Sequence, residues 1–252
     1  DFENLRIASV LGRIGLAWSI AAVLYLNFGV KTRAAIAVAV LAGYGALSAL
    51  VAAPDAAGAG PLTFEGNLAG YIDRQFLPGK LIYGSFDPEG LLSTVPAVVT
   101  AMLGMFTGEF VRRGDIRGGR KTLWMAAAAA ALLAAGLAFS GVLPVNKKLW
   151  SSTFVCVVGA YSLGMFALFY YLIDVRGWRR WTLFFRVVGL NSITIYLAQR
   201  IVGFGRISDF FLGGIASKCP EAVAAVISSA GYVAVCWLFL YFLYRKNVFL
   251  KV

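Results

Sequence analysis

Histidine is absent from this chain of 252 residues. Its absence excludes an imidazole as a general base or as a metal ligand anywhere in the sequence. No phosphate-binding glycine loop, metal-ligand spacing or nucleophile elbow is present either. No metal site is therefore predicted.

Charged residues are also scarce, at 14% of the chain against 60% hydrophobic residues. A soluble domain carries roughly 25% charged residues, so the composition excludes a water-soluble fold with one apolar anchor. The net charge is +11, but the basic residues lie in short runs between apolar segments. That pattern is typical of membrane topology, and no nucleic-acid partner is expected.

Cysteine is limited to three residues. Cys156 and Cys236 lie within apolar segments, whereas Cys219 lies in a connecting loop. No obvious pair exists among them, so a disulfide framework is not predicted.

Seven apolar stretches are each long enough to cross a bilayer. They cover residues 7–28, 33–53, 90–111, 122–141, 151–174, 184–203 and 221–244. The sequence therefore predicts an all-α fold, namely a polytopic integral membrane helical bundle with about seven transmembrane helices. The lipid bilayer is its first expected partner.

Lysine and arginine are divided unevenly between the two sets of connecting segments. One set, together with the C-terminal tail, holds thirteen of the 23 basic residues, and the other set holds seven. Because cytoplasmic loops carry the excess of positive charge, the first set marks the cytoplasm. The C-terminus is then cytoplasmic and the chain starts outside. Since the first residue is Asp1 rather than methionine, we expect that upstream helices are missing.

Arg13 lies about two turns inside the first apolar segment. A guanidinium at this depth must face the interior of the bundle or water, and it needs an anionic partner. A phosphate or a carboxylate of a ligand would suit its two parallel N–H groups. The alternative is that the side chain snorkels to the outer headgroups.

Three carboxylates belong to the predicted outer side, namely Asp73, Asp87 and Glu89. Asp87-Pro88-Glu89 directly precedes the third apolar segment, where an Asp N-cap and a proline at the first helical position are ordinary features of a helix start. Asp73 can likewise form a solvated ion pair with Arg74. The functional alternative is that these carboxylates bind a cationic amine or the hydroxyl groups of a sugar.

Two further polar stretches allow two interpretations. Asn146 and Lys147 form either a solvated turn or a pair of donors to a ligand. Asn191 interrupts the sixth apolar segment, where a polar residue makes a hydrogen bond between helices more often than it contacts a ligand. The residues alone indicate a membrane enzyme or a transporter with polar groups at its outer mouth.

Several stretches together resemble one family. They are Gly70-Tyr-Ile-Asp-Arg74, Asp87-Pro-Glu-Gly-Leu-Leu-Ser-Thr-Val-Pro96, Pro144-Val-Asn-Lys-Lys-Leu-Trp150, Gly189-Leu-Asn-Ser-Ile193 and Leu243-Tyr-Arg-Lys246. In order and spacing they are similar to the heparan-α-glucosaminide N-acetyltransferase family and its bacterial homologues. The resemblance is to the C-terminal part of that family. Residues 1–252 are accordingly expected to form a single transmembrane acyltransferase-like domain that lacks its N-terminal helices.

The resemblance implies transfer of acetyl from cytosolic acetyl-CoA to the amino group of a glucosamine-type sugar or glycan across the membrane. On motif and topology together, the expected acceptor contacts are Asp73, Asp87, Glu89, Asn146 and Lys147. The expected acetyl-CoA contacts are Arg13 and Asn191. The implied location is a bacterial inner membrane, and a homodimer is a further expected partner.

The absent histidine is the main departure from this family. The family uses a histidine in a segment N-terminal to the matching region, so we expect the chain by itself to be inactive. A transporter or flippase for a glycan or an anionic metabolite stays open as an alternative. A non-catalytic membrane partner is the third hypothesis.

Overall fold

Helices make up the regular structure of the computed structural model, which describes residues 5–250. In chain order they are α1 (Val10–Asn27), α2 (Val30–Leu50), α3 (Leu68–Phe76), α4 (Leu91–Arg112), α5 (Gly118–Ala138), α6 (Ser152–Tyr170), α7 (Thr182–Leu190), α8 (Ser192–Ile201), α9 (Phe204–Ala216) and α10 (Glu221–Arg245). A π-helical turn over Tyr171–Val175 continues α6. Within the described residues no strand forms beyond two isolated bridges, so the all-α prediction is confirmed.

Six of these helices are long and apolar enough to cross a membrane: α1, α2, α4, α5, α6 with its π-helical turn, and α10. Large apolar side chains such as Leu11, Leu26 and Leu50 are at least 77% exposed, which suits a hydrocarbon solvent and not water. The prediction of a polytopic helical bundle with about seven spans is confirmed.

The stretch 184–203, predicted as one span, is divided between α7 and α8. The break falls at Asn191, whose backbone is not helical and whose Oδ1 accepts a hydrogen bond from the Thr194 hydroxyl at 3.3 Å. Short polar side chains favour such local hydrogen bonds over continuation of a helix. The polar residue that interrupts the apolar pattern is therefore where the helix ends.

The described chain divides into two compact units between Arg176 and Gly177. In the first unit, small residues of α1 and α2, including Ala17, Ala21 and Ala37, pack against Val98 and Val99 of α4. Alanine lets helix backbones approach closely, which drives helix association where lipid removes the hydrophobic advantage. In the second unit, Phe204 packs with Cys236 of α10. The single domain over 1–252 stays a prediction.

Two basic residues predicted to mark the cytoplasmic side are buried and paired. Arg33 in the first turn of α2 donates to Glu109 at 2.8 Å, and its guanidinium lies over the Tyr25 ring at 4.5 Å. Lys121 donates to the backbone carbonyl of Val111 near the C-terminal end of α4 at 2.7 Å. These side chains tie α2 and α5 to α4 in addition to contributing to the charge asymmetry.

Gly136 allows α5 to pack closely along α6. A Cβ at this position would lie 2.7 Å from a Val157 methyl and 3.1 Å from the Thr153 carbonyl oxygen. We expect Gly136→Ala to lower the midpoint of thermal unfolding in detergent, because the collision falls partly on backbone that cannot move aside. The matched control is Gly43→Ala on α2, where a Cβ meets nothing within 4 Å. Equal midpoints for the two variants would contradict this packing.

Candidate active site

The mouth end of the first unit is the end at which α1, α4 and α6 begin, and it carries a cluster of charged side chains. Arg6 donates to both carboxylate oxygens of Asp87, at 2.8 and 2.7 Å. The same guanidinium also donates to Glu89. Asp87 is fully buried, whereas Arg6 is 31% exposed, so the ion cluster reaches from the interior to the mouth.

Asp73 is the innermost carboxylate of this cluster and is fully buried. One oxygen accepts from the backbone N–H of Leu91 at 2.9 Å, and the other accepts from that of Asp87 at 3.2 Å. Leu91 is the first residue of α4, so Asp73 caps this helix from α3. Burial raises the pKa of Asp73 above its ordinary value, although the two N–H donors oppose that rise.

Gly90 is required by this arrangement. It is the N-cap residue of α4 and makes no side-chain cap of its own. A Cβ on Gly90 would overlap the Asp73 carboxylate, which explains why a glycine lies between Glu89 and the helix.

Asp87 was predicted as the N-cap of the third apolar segment, and that alternative is wrong. The helix begins three residues later than Pro88, and Asp87 closes the preceding turn by accepting from the N–H groups of Glu89 and Ile82, at 3.0 and 3.2 Å. Burial raises the pKa of Asp87. The hydrogen bonds from Arg6 and from backbone N–H groups lower it by more, so the pKa of Asp87 lies below its ordinary value.

Acid should therefore remove the stability that ionised Asp87 contributes. A carboxylate with a lowered folded-state pKa stabilises the fold above its unfolded pKa of 3.8, and this contribution is lost as pH falls through the lower folded value. We expect the difference in unfolding midpoint between wild type and Asp87→Asn to be constant above about pH 5 and to shrink below it. A Glu65→Gln variant, which changes an exposed carboxylate, serves as the control. A difference that widens on acidification would contradict this account.

Arg13 enters the cluster from α1 and is only 6% exposed. Its Nη2 donates to the Pro88 carbonyl and to the Ser93 hydroxyl, and its guanidinium lies over the Trp150 ring at 4.8 Å. Arg13 therefore faces the bundle interior, as one of the two sequence interpretations predicted. Its Nε is buried and has no hydrogen-bond partner among the described residues.

The turn that contains Asn146 and Lys147 lies beside this cluster through Trp150. Asn146 uses its Oδ1 for the turn itself, accepting from the backbone N–H of Lys148 at 2.8 Å. Lys147 is exposed. Trp150 donates from its indole N–H to Thr100 on α4 at 3.2 Å, and its ring lies under the Arg13 guanidinium of α1. The turn, in which Trp150 has a positive φ of 52°, is thus held against α4 and α1.

Asn191 lies in the second unit and is 1% exposed. Its Nδ2 is buried and has no hydrogen-bond partner among residues 5–250. The amide therefore has a donor to offer, but its role toward acetyl-CoA stays a prediction.

The structure brings together four of the predicted residues, namely Arg13, Asp73, Asp87 and Glu89. It corrects the predicted Asp73–Arg74 ion pair, because Arg74 instead binds Asp55 through two hydrogen bonds of 2.9 and 2.7 Å. Arg6 was not singled out from the sequence, where it is one of the seven basic residues of the predicted outer side. The signal was present, since an arginine just before the first apolar segment belongs to the same predicted side as the three carboxylates.

A groove of about 550 Å³ opens from the cluster and runs between α1 and α4, and it is also lined by Ile36 and Val40 of α2. Arg13 and Glu89 lie at its charged end, and apolar side chains such as Leu16, Ile20 and Met102 form the rest. Among the described residues, no group of three or more histidine, cysteine or acidic side chains could hold a metal ion. The site can thus bind an anion through Arg13 and a cation or hydroxyl groups through Glu89.

No family model matches the chain. It is 29% identical over 208 residues to the human heparan-alpha-glucosaminide N-acetyltransferase and 27% identical over 205 residues to the mouse protein of the same name. Each alignment covers 74% of this chain but only 30% of the relative's own length. The resemblance inferred from the motifs is thereby confirmed: the chain is similar in sequence to these two heparan-alpha-glucosaminide N-acetyltransferases over 74% of its length.

Proposed function

We propose that the protein is a membrane acetyltransferase that moves acetyl from acetyl-CoA to the amino group of a glucosamine-type sugar or glycan across the membrane. The observation that carries this proposal is the similarity to two N-acetyltransferases over 74% of the chain. The charged cluster at the mouth end supports it with side chains suited to an amine-bearing acceptor. The transporter alternative is not favoured, because both relatives are transferases by name.

Glu89 and Arg13 are the acceptor-facing members of the cluster in this proposal. Both line the groove, whereas Asp73 is committed to two backbone N–H groups. Asp73 and Asp87 then act as positioning residues, since they hold the turn that presents Glu89. Lys147, with an exposed ammonium, and Asn146 extend the same mouth toward a larger glycan.

The transfer itself forms one N–C bond and breaks one C–S bond. The amine nitrogen of the acceptor attacks the thioester carbonyl, the CoA thiolate leaves, and a base takes the proton that the amine loses. The resemblance implies a histidine in that role, and residues 1–252 contain none. Arg13 can hold an acidic group of the acceptor or a phosphate of CoA, and Asn191 can donate from its free amide to acetyl-CoA.

Localisation to a bacterial inner membrane, with a cytoplasmic C-terminus and a homodimeric assembly, belongs to the same proposal. The distribution of basic residues supports the orientation. With the C-terminus inside, the mouth end faces the periplasm and an acceptor there.

The direct test uses the protein expressed from its complete gene and reconstituted in liposomes. Acetyl-labelled CoA is supplied on one side, and a panel of amino sugars on the other. Label on the amino group of a sugar supports the proposal. Absence of transfer by correctly folded protein, with uptake of an unmodified sugar instead, would favour the transporter.

A further inference from the structure

The groove between α1 and α4 combines a long apolar floor with one charged end. Its polar atoms lie near Arg13 and Glu89, at the mouth. From there to Leu24, the groove follows α1 for about 16 Å at 1.5 Å per residue, roughly half the thickness of a hydrocarbon core. Leu16 and Ile20 within it are 57% and 46% exposed, so the groove opens along its side toward the hydrocarbon phase.

The charged end lacks a partner for one buried donor. The Nε of Arg13 has no hydrogen-bond acceptor among the described residues, and Arg13 is only 6% exposed. An unmade hydrogen bond from a buried guanidinium is costly. A phosphate oxygen would satisfy it, because arginine binds phosphate through charge-assisted hydrogen bonds. Glu89, at the same end, would face a group of opposite charge.

A free sugar fits only the mouth of this groove. Its hydroxyl groups would lose water along the apolar floor without gaining hydrogen bonds, at a cost for each group. An alkyl chain has no such cost. Because lipid tails are as apolar as the groove floor, moving the alkyl chain from the bilayer into the groove changes its free energy little. Its effect would be to fix the headgroup at the mouth, which raises the effective concentration of the acceptor amine.

We propose that the acceptor is lipid-linked: a long alkyl chain occupies the α1–α4 groove, a phosphate binds Arg13, and an amino sugar on that phosphate lies at Glu89. This inference rests on the proposed function, since it names the class of acceptor for that site. Charge complementarity selects the occupant at the end where the apolar floor begins. An anion meets Arg13 there, and an amine meets Glu89, because the single charge of Arg6 is shared between Asp87 and Glu89 and leaves one negative charge over.

The first experiment measures binding alone. The probe is a hexadecyl phosphodiester of glucosamine with a photoactivatable group in the alkyl chain, mixed into phosphatidylcholine liposomes that contain the full-length protein. We expect the label on the helices that line the groove, namely α1, α2 and α4. Leu16→Trp should reduce labelling about tenfold, because the indole fills the groove and overpacking costs of this order are typical.

The matched control is Leu26→Trp on the same helix. Leu26 is 80% exposed and does not line the groove. The Leu26→Trp variant should therefore be labelled as strongly as wild type. Labelling that is equal in both variants, or that falls outside α1, α2 and α4, would overturn the lipid site. Dilution with the same alkyl phosphodiester that lacks the sugar should compete, since the phosphate contact is retained.

The second experiment separates this inference from the proposed function. Acetyl transfer is compared for the lipid-linked glucosamine and for free glucosamine, in wild type, Leu16→Trp and Leu26→Trp. Preference for the lipid-linked acceptor, lost only in Leu16→Trp, supports the inference. Equal transfer to both acceptors would overturn the inference and leave the acetyltransferase standing. If the probe labels the groove but neither acceptor is acetylated, both the lipid-linked acceptor and the proposed acetyltransferase activity are overturned.

Discussion

Asp73→Ala is expected to destabilise the first unit by about 3 kcal/mol, since it leaves two backbone N–H groups without their charged acceptor. One donor belongs to Leu91, the first residue of α4, and the other belongs to Asp87 in the turn before the helix. The Asp87 N–H cannot turn to water easily, because Asp87 and Asp73 are both buried. The loss also removes the capping contact between α3 and α4. The free energy of unfolding in mixed detergent micelles measures it.

Asp55→Ala is the matched control for this effect. The Asp55 carboxylate is 36% exposed and pairs with Arg74, and exposed ion pairs contribute little to stability. We expect no resolvable change for this variant. Comparable losses for the two aspartates would mean that Asp73 does not cap α4. Asp73→Asn should fall between them, because an amide oxygen can still accept one of the two hydrogen bonds.

Arg13→Lys should reduce acetyl transfer by about tenfold to a hundredfold while the protein remains folded, as expected for a lost hydrogen bond to a charged group. Lysine keeps the positive charge and can still donate to the Pro88 carbonyl. It lacks the second parallel donor with which Arg13 would bind a phosphate or carboxylate, and it lacks the planar group that lies over Trp150. Transfer from labelled acetyl-CoA to the acceptor, measured with the full-length protein, reports the change.

Arg74→Lys is the control for a general effect of replacing arginine. Arg74 belongs to the same predicted side but binds Asp55 and the Ser85 carbonyl and does not line the groove. Its variant should retain wild-type transfer. If Arg13→Lys also retained wild-type transfer, its guanidinium would have a purely structural role. A drop confined to the value of kcat/KM, with kcat unchanged at saturating acceptor, would assign Arg13 to acceptor binding.

The contacts within the cluster explain how two arginines and three carboxylates can lie together with little exposure to solvent. Arg6 pairs with both Asp87 and Glu89, while Asp73 is stabilised by backbone N–H groups. Paired and hydrogen-bonded charges tolerate burial that isolated charges do not. The arrangement holds the turn before α4 rigid, which is the requirement for presenting Glu89 and Arg13 at a fixed separation.

Composition and periodicity determined the class of fold. Long apolar segments with few charges can satisfy their backbone polar groups in a bilayer only as helices, so the spans follow from local sequence. Asn191 shows the limit of this reasoning: an apolar average over 184–203 predicted one span, whereas one polar residue divides it into α7 and α8. Whether a single Asn ends a helix depends on the hydrogen bonds available around it.

The order of apolar segments and loops also predicted that Arg13, Asp73, Asp87 and Glu89 lie toward one side of the membrane. The motifs that contain the three carboxylates supported the family resemblance. Only the tertiary structure decided which of them touch. Proximity in sequence predicted an ion pair between Asp73 and Arg74, and it predicted that Asp87 caps the helix that follows it. The observed contacts instead join different elements. Asp73 accepts from the start of α4, and Arg6 binds Asp87, 81 residues away. Long-range pairing of this kind is set by how helices pack, and no local propensity encodes it.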